Sequence, residues 1–294
     1  MTPQIFDRAL VLTRRLRAER VGARPSVLMA RAADDLADRL SATLRRFECA
    51  VDIGSEGPEA LAALKAAASV GDALRFDRIP GPGVAAVADP EMLPLGAASV
   101  DLIVSLLSLQ TLNDLPGALV QIRRALRPDG LFLAALIGGR SLHELREAFM
   151  QAELEIEGGV SPRVAPFADV RDMGGLLQRA GFALPVTDVD SFSVRYSSAA
   201  GLLDDLRALG ATNPLAARRR TPLKRATLSR ALALYDQCFR DADGRIPATV
   251  EIVWVSGWAP HDSQQKPLKP GSAKARLADA LRVPEQGAGE KAGK

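Results

Sequence analysis

The spacing of hydrophobic residues changes near position 48. Before it, apolar residues recur at helical intervals. Residues 3–20 read as a short amphipathic helix, and a break follows at Val21-Gly22-Ala23-Arg24-Pro25. A second helix is predicted over 27–46 on the stripe Leu28, Ala32, Leu36, Leu40, Leu44 and Phe47. After position 48, short continuous apolar runs alternate with helical segments. Strands are predicted at 49–53, 74–76, 84–88, 100–107 and 131–137. Helices are predicted at 57–68, with Pro58 at the first position, and at 116–126, capped by Asn113-Asp114; Pro128-Asp129-Gly130 reads as a turn. Strands apolar on both faces, alternating with helices, predict a parallel sheet covered on both sides. Further helices are expected near 141–157, 170–180, 199–210 and 223–239, and strands at 184–189, 192–196 and 249–258. The expected fold is α/β: a doubly wound mixed sheet of about seven strands ending in an antiparallel edge. The expected organisation is N-terminal helices over 1–47, one domain over 48–262 with helical additions at about 141–165 and 198–245, and a basic tail over 263–294. The Lys/Pro/Gly/Ala-rich composition of that tail predicts disorder.

Composition adds exclusions. With 47% apolar and 25% charged residues, the 294-residue chain can bury its own core. Two Cys and two His leave no disulfide framework and no Cys/His zinc cage, so no metal is expected. The net charge of +3 is unevenly placed. Residues 1–24 carry six Arg against two acids (+4), and residues 265–294 carry seven Lys/Arg against three acids (+4), so the middle carries 3 − 8 = −5. An acidic body argues against nucleic acid. The longest apolar runs span eight residues, short of the roughly 20 a membrane-spanning helix needs. The Arg-rich N-terminus lacks the apolar core of a secretory signal. A cytoplasmic location is expected. Peripheral contact at the inner membrane face stays open through the helix carrying Arg14, Arg15 and Arg17 beside Leu10 and Leu12; packing against its own domain is the other reading.

Ligands of doubly wound sheets bind beyond the carboxyl ends of the strands. Here the first strand-to-helix turn is Asp52-Ile53-Gly54-Ser55-Glu56-Gly57-Pro58, Asp77 follows Asp52 by 25 residues, and Asp89 follows the next strand. On spacing alone two readings stand: a nucleotide-type site, or a capping Asp with turn glycines.

The acid-x-Gly turn, Asp77, "ADPEMLPL" at 88–95 and "VDLIVSLLSLQTLNDLPGAL" at 100–119 resemble class I S-adenosylmethionine-dependent methyltransferases. "IFDRAL" at 5–10, "LRPDGLFLAALIGGRSLHELR" at 126–146, "SPRVAPFADVRDMGGLLQRAGF" at 161–182, "DADGRIPAT" at 241–249 and "GWAPHDSQQKPLKPGSAKARLADAL" at 257–281 resemble, more narrowly, the complex I assembly factor 5 family. The resemblance implies a methyltransferase-type sheet and a part in building the peripheral arm of respiratory complex I, with a complex I subunit or assembly intermediate as partner. It implies S-adenosylmethionine as cofactor, placed against Asp52, Gly54, Ser55, Gly57, Asp77, Asp89 and Ser105. Mitochondrial members are linked to arginine hydroxylation, and the biotin-pathway malonyl-carrier methyltransferase is similar.

Three departures fall at the cofactor end. Glu56 and Pro58 stand where the family turn has its second and third glycines, only 11 residues separate Asp77 from Asp89, and Gln110-Thr111 stands where relatives carry His-Trp. Three functions therefore remain open: an assembly factor still using the cofactor or related chemistry, a non-catalytic assembly or binding module, and a small-molecule or carrier-protein methyltransferase. No catalytic base is assigned. His143 beside Glu144 reads as a surface or interface residue, His261 as an exposed one, and Tyr196, which the resemblance places near the pocket, as a packed tyrosine with its hydroxyl at the rim. Cys49 reads as an inert core thiol. Arg218-Arg219-Arg220 with Lys224 and Arg225 forms a basic run without interleaved aromatics.

Overall fold

The computed structural model describes residues 4–22, 26–167, 169–265, 279 and 282–284. The chain divides into two units, 1–260 and 261–294. In the second, His261 Nδ1 lies 2.6 Å from Ser263 Oγ; most of the predicted disordered tail falls outside the described residues.

The first unit runs α1 (Arg8–Val21), α2 (Val27–Ser41), β1 (Phe47–Ile53), α3 (Glu59–Ala66), β2 (Val70–Asp77), β3 (Val84–Val87), β4 (Val100–Leu106), α4 (Leu115–Ala125), β5 (Leu126–Ile137), α5 (His143–Glu157), α6 (Val170–Arg179), β6 (Ala183–Tyr196), α7 (Ala199–Ala208), α8 (Arg225–Phe239) and β7 (Ile246–Trp258). The sheet has seven strands in the order β3-β2-β1-β4-β5-β7-β6. β1 to β5 are parallel, and β7 enters antiparallel between β5 and β6. The expected methyltransferase-type architecture is the one observed.

Side-chain alternation feeds two cores. Val51, Ile53, Ile103, Phe132, Ala134 and Leu136 pack with α4 and α6 on one face, where Ile122, Met173 and Leu177 are buried. Ala50, Leu102, Val104, Leu106, Leu133 and Trp254 pack on the other against Met29, Ala32, Leu36 and Leu40 of α2 and Leu64 of α3. A third cluster joins α5, α7 and α8 over the start of β7.

Several boundaries differ from the sequence reading. α2 stops at Ser41; Leu44 is fully exposed, and Phe47 opens β1, where it is buried in the sheet. Pro58 is the N-cap of α3 rather than its first residue. Pro128-Asp129-Gly130 does not end a strand. β5 runs through it as an irregularity with Asp129 at φ +62°, and Asp129 N–H donates to the Ala259 carbonyl at 3.0 Å. The two strands expected at 184–189 and 192–196 are one strand, β6. Its polar middle is held from α2: Arg39 clasps Asp188 with two bonds of 2.8 Å, and Arg31 Nε donates to Asp190 Oδ2 at 2.8 Å. β2 and β3 are parallel neighbours without a helix between them. A crossover normally takes a dozen or more residues; here β3 begins opposite Arg75, near the end of β2, so residues 78–83 need to backtrack only a short way. No described helix is long and apolar enough to cross a membrane.

Candidate functional site

The carboxyl ends of β1, β2 and β4 lie together at one edge of the sheet, where β1 turns into α3. Gly54 at φ +72° and Gly57 at φ +84° make that turn, conformations open to glycine without steric cost. A Cβ on Gly54 would sit 3.2 Å from both Pro90 Cγ and Ser108 Oγ, so the segments after β3 and β4 close directly on it.

Beneath the turn is a buried polar net. Ser55 Oγ donates to Asp52 Oδ1 and accepts from Leu106 N–H at 2.7 Å. Ser105 Oγ donates to the Ile53 carbonyl at 2.7 Å and lies 2.8 Å from Ser108 Oγ. Arg75 and Asp77 share a face of β2. Arg75 Nη2 donates to the Ser55 carbonyl at 3.0 Å and to Asp77 Oδ2 at 2.7 Å, while its Nε stays 3.9 Å from Asp52 Oδ2. That Asp52 oxygen has no hydrogen-bond partner among the described residues. Burial pushes the Asp52 carboxyl up to about 7, against the opposing effects of the Ser55 hydrogen bond and Arg75.

The mouth of the site is covered by α1. Arg8, Val11, Leu12 and Arg15, spaced i, i+3, i+4, i+7, form one helix face. All four line a cavity of about 60 Å³ with Gly54, Glu56, Arg78, Ser108 and Gln110 among its other wall residues. Arg15 clasps Asp77 through both terminal nitrogens, at 3.1 and 2.9 Å, and its Nε lies 3.2 Å from Glu56 Oε1. Arg8 divides between Asp89 Oδ1 and Glu91 Oε2, each at 2.5 Å, and Arg78 Nε lies 3.6 Å from Asp89 Oδ2. Burial works to raise the Asp89 carboxyl, but hydrogen bonds from Arg8 and the Glu91 N–H hold it below the usual carboxylate range. No residue of α1 is buried; charge pairs and a backbone tether hold it. Asn113 Oδ1 accepts from Phe6 N–H at 2.8 Å, Asp7 N–H donates to the Pro214 carbonyl at 2.8 Å, and Ala216 N–H to the Ile5 carbonyl at 2.9 Å.

Among the described residues the cavity wall offers Glu56, Ser108, Gln110 and Thr111 beside the arginines, and no His, Cys, Lys or Tyr. Gln110 Nε2 donates to the Leu107 carbonyl at 2.6 Å, while its Oε1 is buried without a partner. Of the residues singled out in the sequence, Gly54 is in the wall, Asp52, Ser55 and Ser105 form the net below it, and Gly57 shapes the turn. Asp77 and Asp89 meet the cavity only through arginines. Tyr196 is not near the pocket, contrary to the expectation. It ends β6, four strands from β1 and so about 19 Å across the sheet at about 4.8 Å per strand, and its hydroxyl donates to Asp205 Oδ2 at 2.8 Å. His143 Nδ1 lies 3.2 Å from the Arg140 carbonyl, also away from the wall. Arg8, Arg75 and Arg78 were not singled out, and Arg15 was named for its helix and not for the site. The i, i+7 spacing of Arg8 and Arg15, set beside a glutamate in a glycine position, is a signal that could have found those two. The N-terminal arginines Arg8, Arg14 and Arg15 are turned onto the body rather than displayed to partners.

Residues 50–134 match the family model described as "Methyltransferase domain". This stretch, β1 to β5, carries the turn, Asp77, Asp89 and Ser105. The chain carries a methyltransferase domain over these residues. Over 202 residues, 69% of this chain, it is 43% identical to the arginine-hydroxylase NDUFAF5, mitochondrial, of Danio rerio, of which the match spans 63%. It is 39% identical over 175 residues to the malonyl-[acyl-carrier protein] O-methyltransferase of Gallionella capsiferriformans, 59% of this chain and 57% of that protein. The chain thus spans about three fifths of these relatives. The solved YcgJ protein from Bacillus subtilis, 15% identical with a TM-score of 0.50 over 78% of this chain and 99% of its own, shares the fold.

The cofactor implied for a methyltransferase domain does not fit this conformation. Pockets for ligands of that size measure roughly 300 Å³ or more, against about 60 Å³ here. Asp77, at the end of the second strand where an acid commonly holds ribose hydroxyls, has both oxygens engaged by Arg15, and Arg75 adds a further bond to one of them.

Proposed function

We propose that this methyltransferase-domain protein serves the assembly of respiratory complex I as a protein-binding module, in the cytoplasm at the inner membrane face, with its cofactor pocket held shut by α1. The similarity to NDUFAF5 supports the assembly role. The observation that carries the closed-pocket reading is the two-pronged Arg15–Asp77 clasp, because ribose hydroxyls and a guanidinium compete for the same two carboxylate oxygens. Titration calorimetry of the full chain with S-adenosylmethionine tests it: no saturable heat is expected, and saturable binding at micromolar cofactor overturns it. Deleting the gene tests the assembly role, with loss of assembled NADH dehydrogenase expected and normal assembly sinking it.

A second reading has one favouring observation. Asp52 Oδ2 and Gln110 Oε1 are buried acceptors without partners, suited to the ammonium of an amino-acid moiety. On this reading α1 opens, S-adenosylmethionine enters over Gly54, and the assembly factor uses the cofactor. The calorimetric result separates the two.

A further inference from the structure

A second concavity is reached by α1 through Arg14, next to the face that covers the first. Asp7, Arg14, Arg163, Asn213, Arg218, Arg219 and Arg220 line a groove of about 460 Å³. Its wall holds five arginines and one acid. Two of these cations face carboxylates lying behind the wall: Arg163 pairs with Glu153, and Arg219 with Glu157, which Lys224 Nζ also approaches at 3.8 Å. Arg218 pairs with Asp7 at 2.9 Å. Counting all of these, six cations oppose three acids, an excess of three.

The excess has addresses. Arg220 enters no hydrogen bond or ion pair among the described residues, so its five donors are uncommitted; its charge is one of those that lower the Asp7 pKa. Arg14 has no carboxylate partner. Its Nη1 is held by the Thr212 and Asn213 carbonyls at 3.0 and 2.6 Å. Burial and the nearby Arg218 charge both lower the Arg14 pKa, with Asp7 opposing.

The wall chemistry selects the ligand. Guanidinium forks match planar or tetrahedral oxyanions through paired hydrogen bonds. No aromatic residue lines the groove to stack a base. No apolar residue offers the anchor pocket on which peptide recognition usually depends. The volume lies in the ordinary small-ligand range of about 300–1,000 Å³. We propose that this groove binds a phosphate-type oxyanion, with Arg14 and Arg220 as its uncompensated ligands and Arg218 and Arg219 beside them. Since Arg14 belongs to α1, the anion also ties that helix to the 211–224 segment; this consequence alone rests on the closed-pocket reading.

The test titrates the full chain with inorganic pyrophosphate at constant ionic strength, without S-adenosylmethionine, so that its failure is separate from failure of the closed-pocket reading. Saturable binding is expected. Arg220→Gln, which breaks no contact, and Arg14→Gln should each weaken it by about tenfold or more, as expected for a charged hydrogen bond. Arg46→Gln, an exposed arginine elsewhere, should leave it unchanged. Absence of saturable binding, or equal weakening by Arg46→Gln, overturns the site. Phosphatidic acid vesicles, compared with phosphatidylcholine, identify the source of the phosphate. Competition with pyrophosphate supports a lipid headgroup, and its absence supports a soluble phosphoryl compound. Vesicle binding without any pyrophosphate binding overturns the groove as the binding site.

Discussion

Asp52 is wholly buried with one carboxylate oxygen unsatisfied, and its proton is retained to about pH 7 where an unfolded aspartate releases it near 4. The folded state therefore binds the extra proton between those limits. The contribution of Asp52 is fully present below about pH 4 and is lost as pH rises through about 7. Asp52→Asn keeps the acceptor for Ser55 and removes the charge. Its melting temperature should gain on the wild type as pH rises from 5 to 8; a gap independent of pH would refute the assignment. Arg75 presents the opposite case. It is buried against Asp77 and the Ser55 carbonyl, and Arg75→Met should cost roughly 1–3 kcal/mol in urea unfolding, since Arg15 keeps Asp77 paired while the charged hydrogen bonds of Arg75 are lost.

At the scale of elements, α1 sets the state of the site. A helix without a buried residue is held in place by Arg8, Arg14 and Arg15 and by the strand-like tether at Phe6 and Leu215. Glu56, which by sequence looks like decay of a glycine turn, is part of that attachment through its 3.2 Å contact with Arg15. Arg15→Ala should free Asp77 toward the cavity and give measurable S-adenosylmethionine binding in calorimetry where the wild type gives none. Absence of binding in both proteins would mean that the short β2–β3 connection, and not α1, closes the pocket. The same variant should speed proteolytic cleavage within residues 8–21, because helices attached by few contacts open first.

Over the whole molecule, two cores on the sheet faces carry the stability and leave the site edge to polar chemistry. α2 covers one face through Leu36 and Leu40, both at 0% exposure. Leu36→Ala should destabilise the protein by about 2–5 kcal/mol, read from chemical denaturation, without altering pyrophosphate binding at the arginine groove, whose wall contains no residue of α2. The charge distribution also acquires a structural meaning. The −5 body draws the positive N-terminus onto Asp77, Asp89, Glu56 and Glu91, so part of the basic character is spent inside the protein.

The alternation of apolar strands with helices determined the α/β class by itself, because burial on both faces of a parallel sheet writes continuous apolar runs into the chain. The acid-x-Gly turn, Asp77 and Asp89 were legible for a similar reason: they sit at strand ends, at positions a linear spacing can count. Their occupation was not legible. Arg15 and Asp77 are 62 residues apart, and no local period connects a helix to a strand end on the other side of three intervening elements. The unity of β6 was hidden likewise, because Asp190 and Ser191 read as a break between two strands, until Arg31 is brought over Asp190 by α2. Local sequence thus fixed which elements form and where the acids lie. Only tertiary packing decided which partner neutralises each buried or half-buried charge, because an ion pair is chosen by distance in space and by the cost of leaving it unpaired away from water.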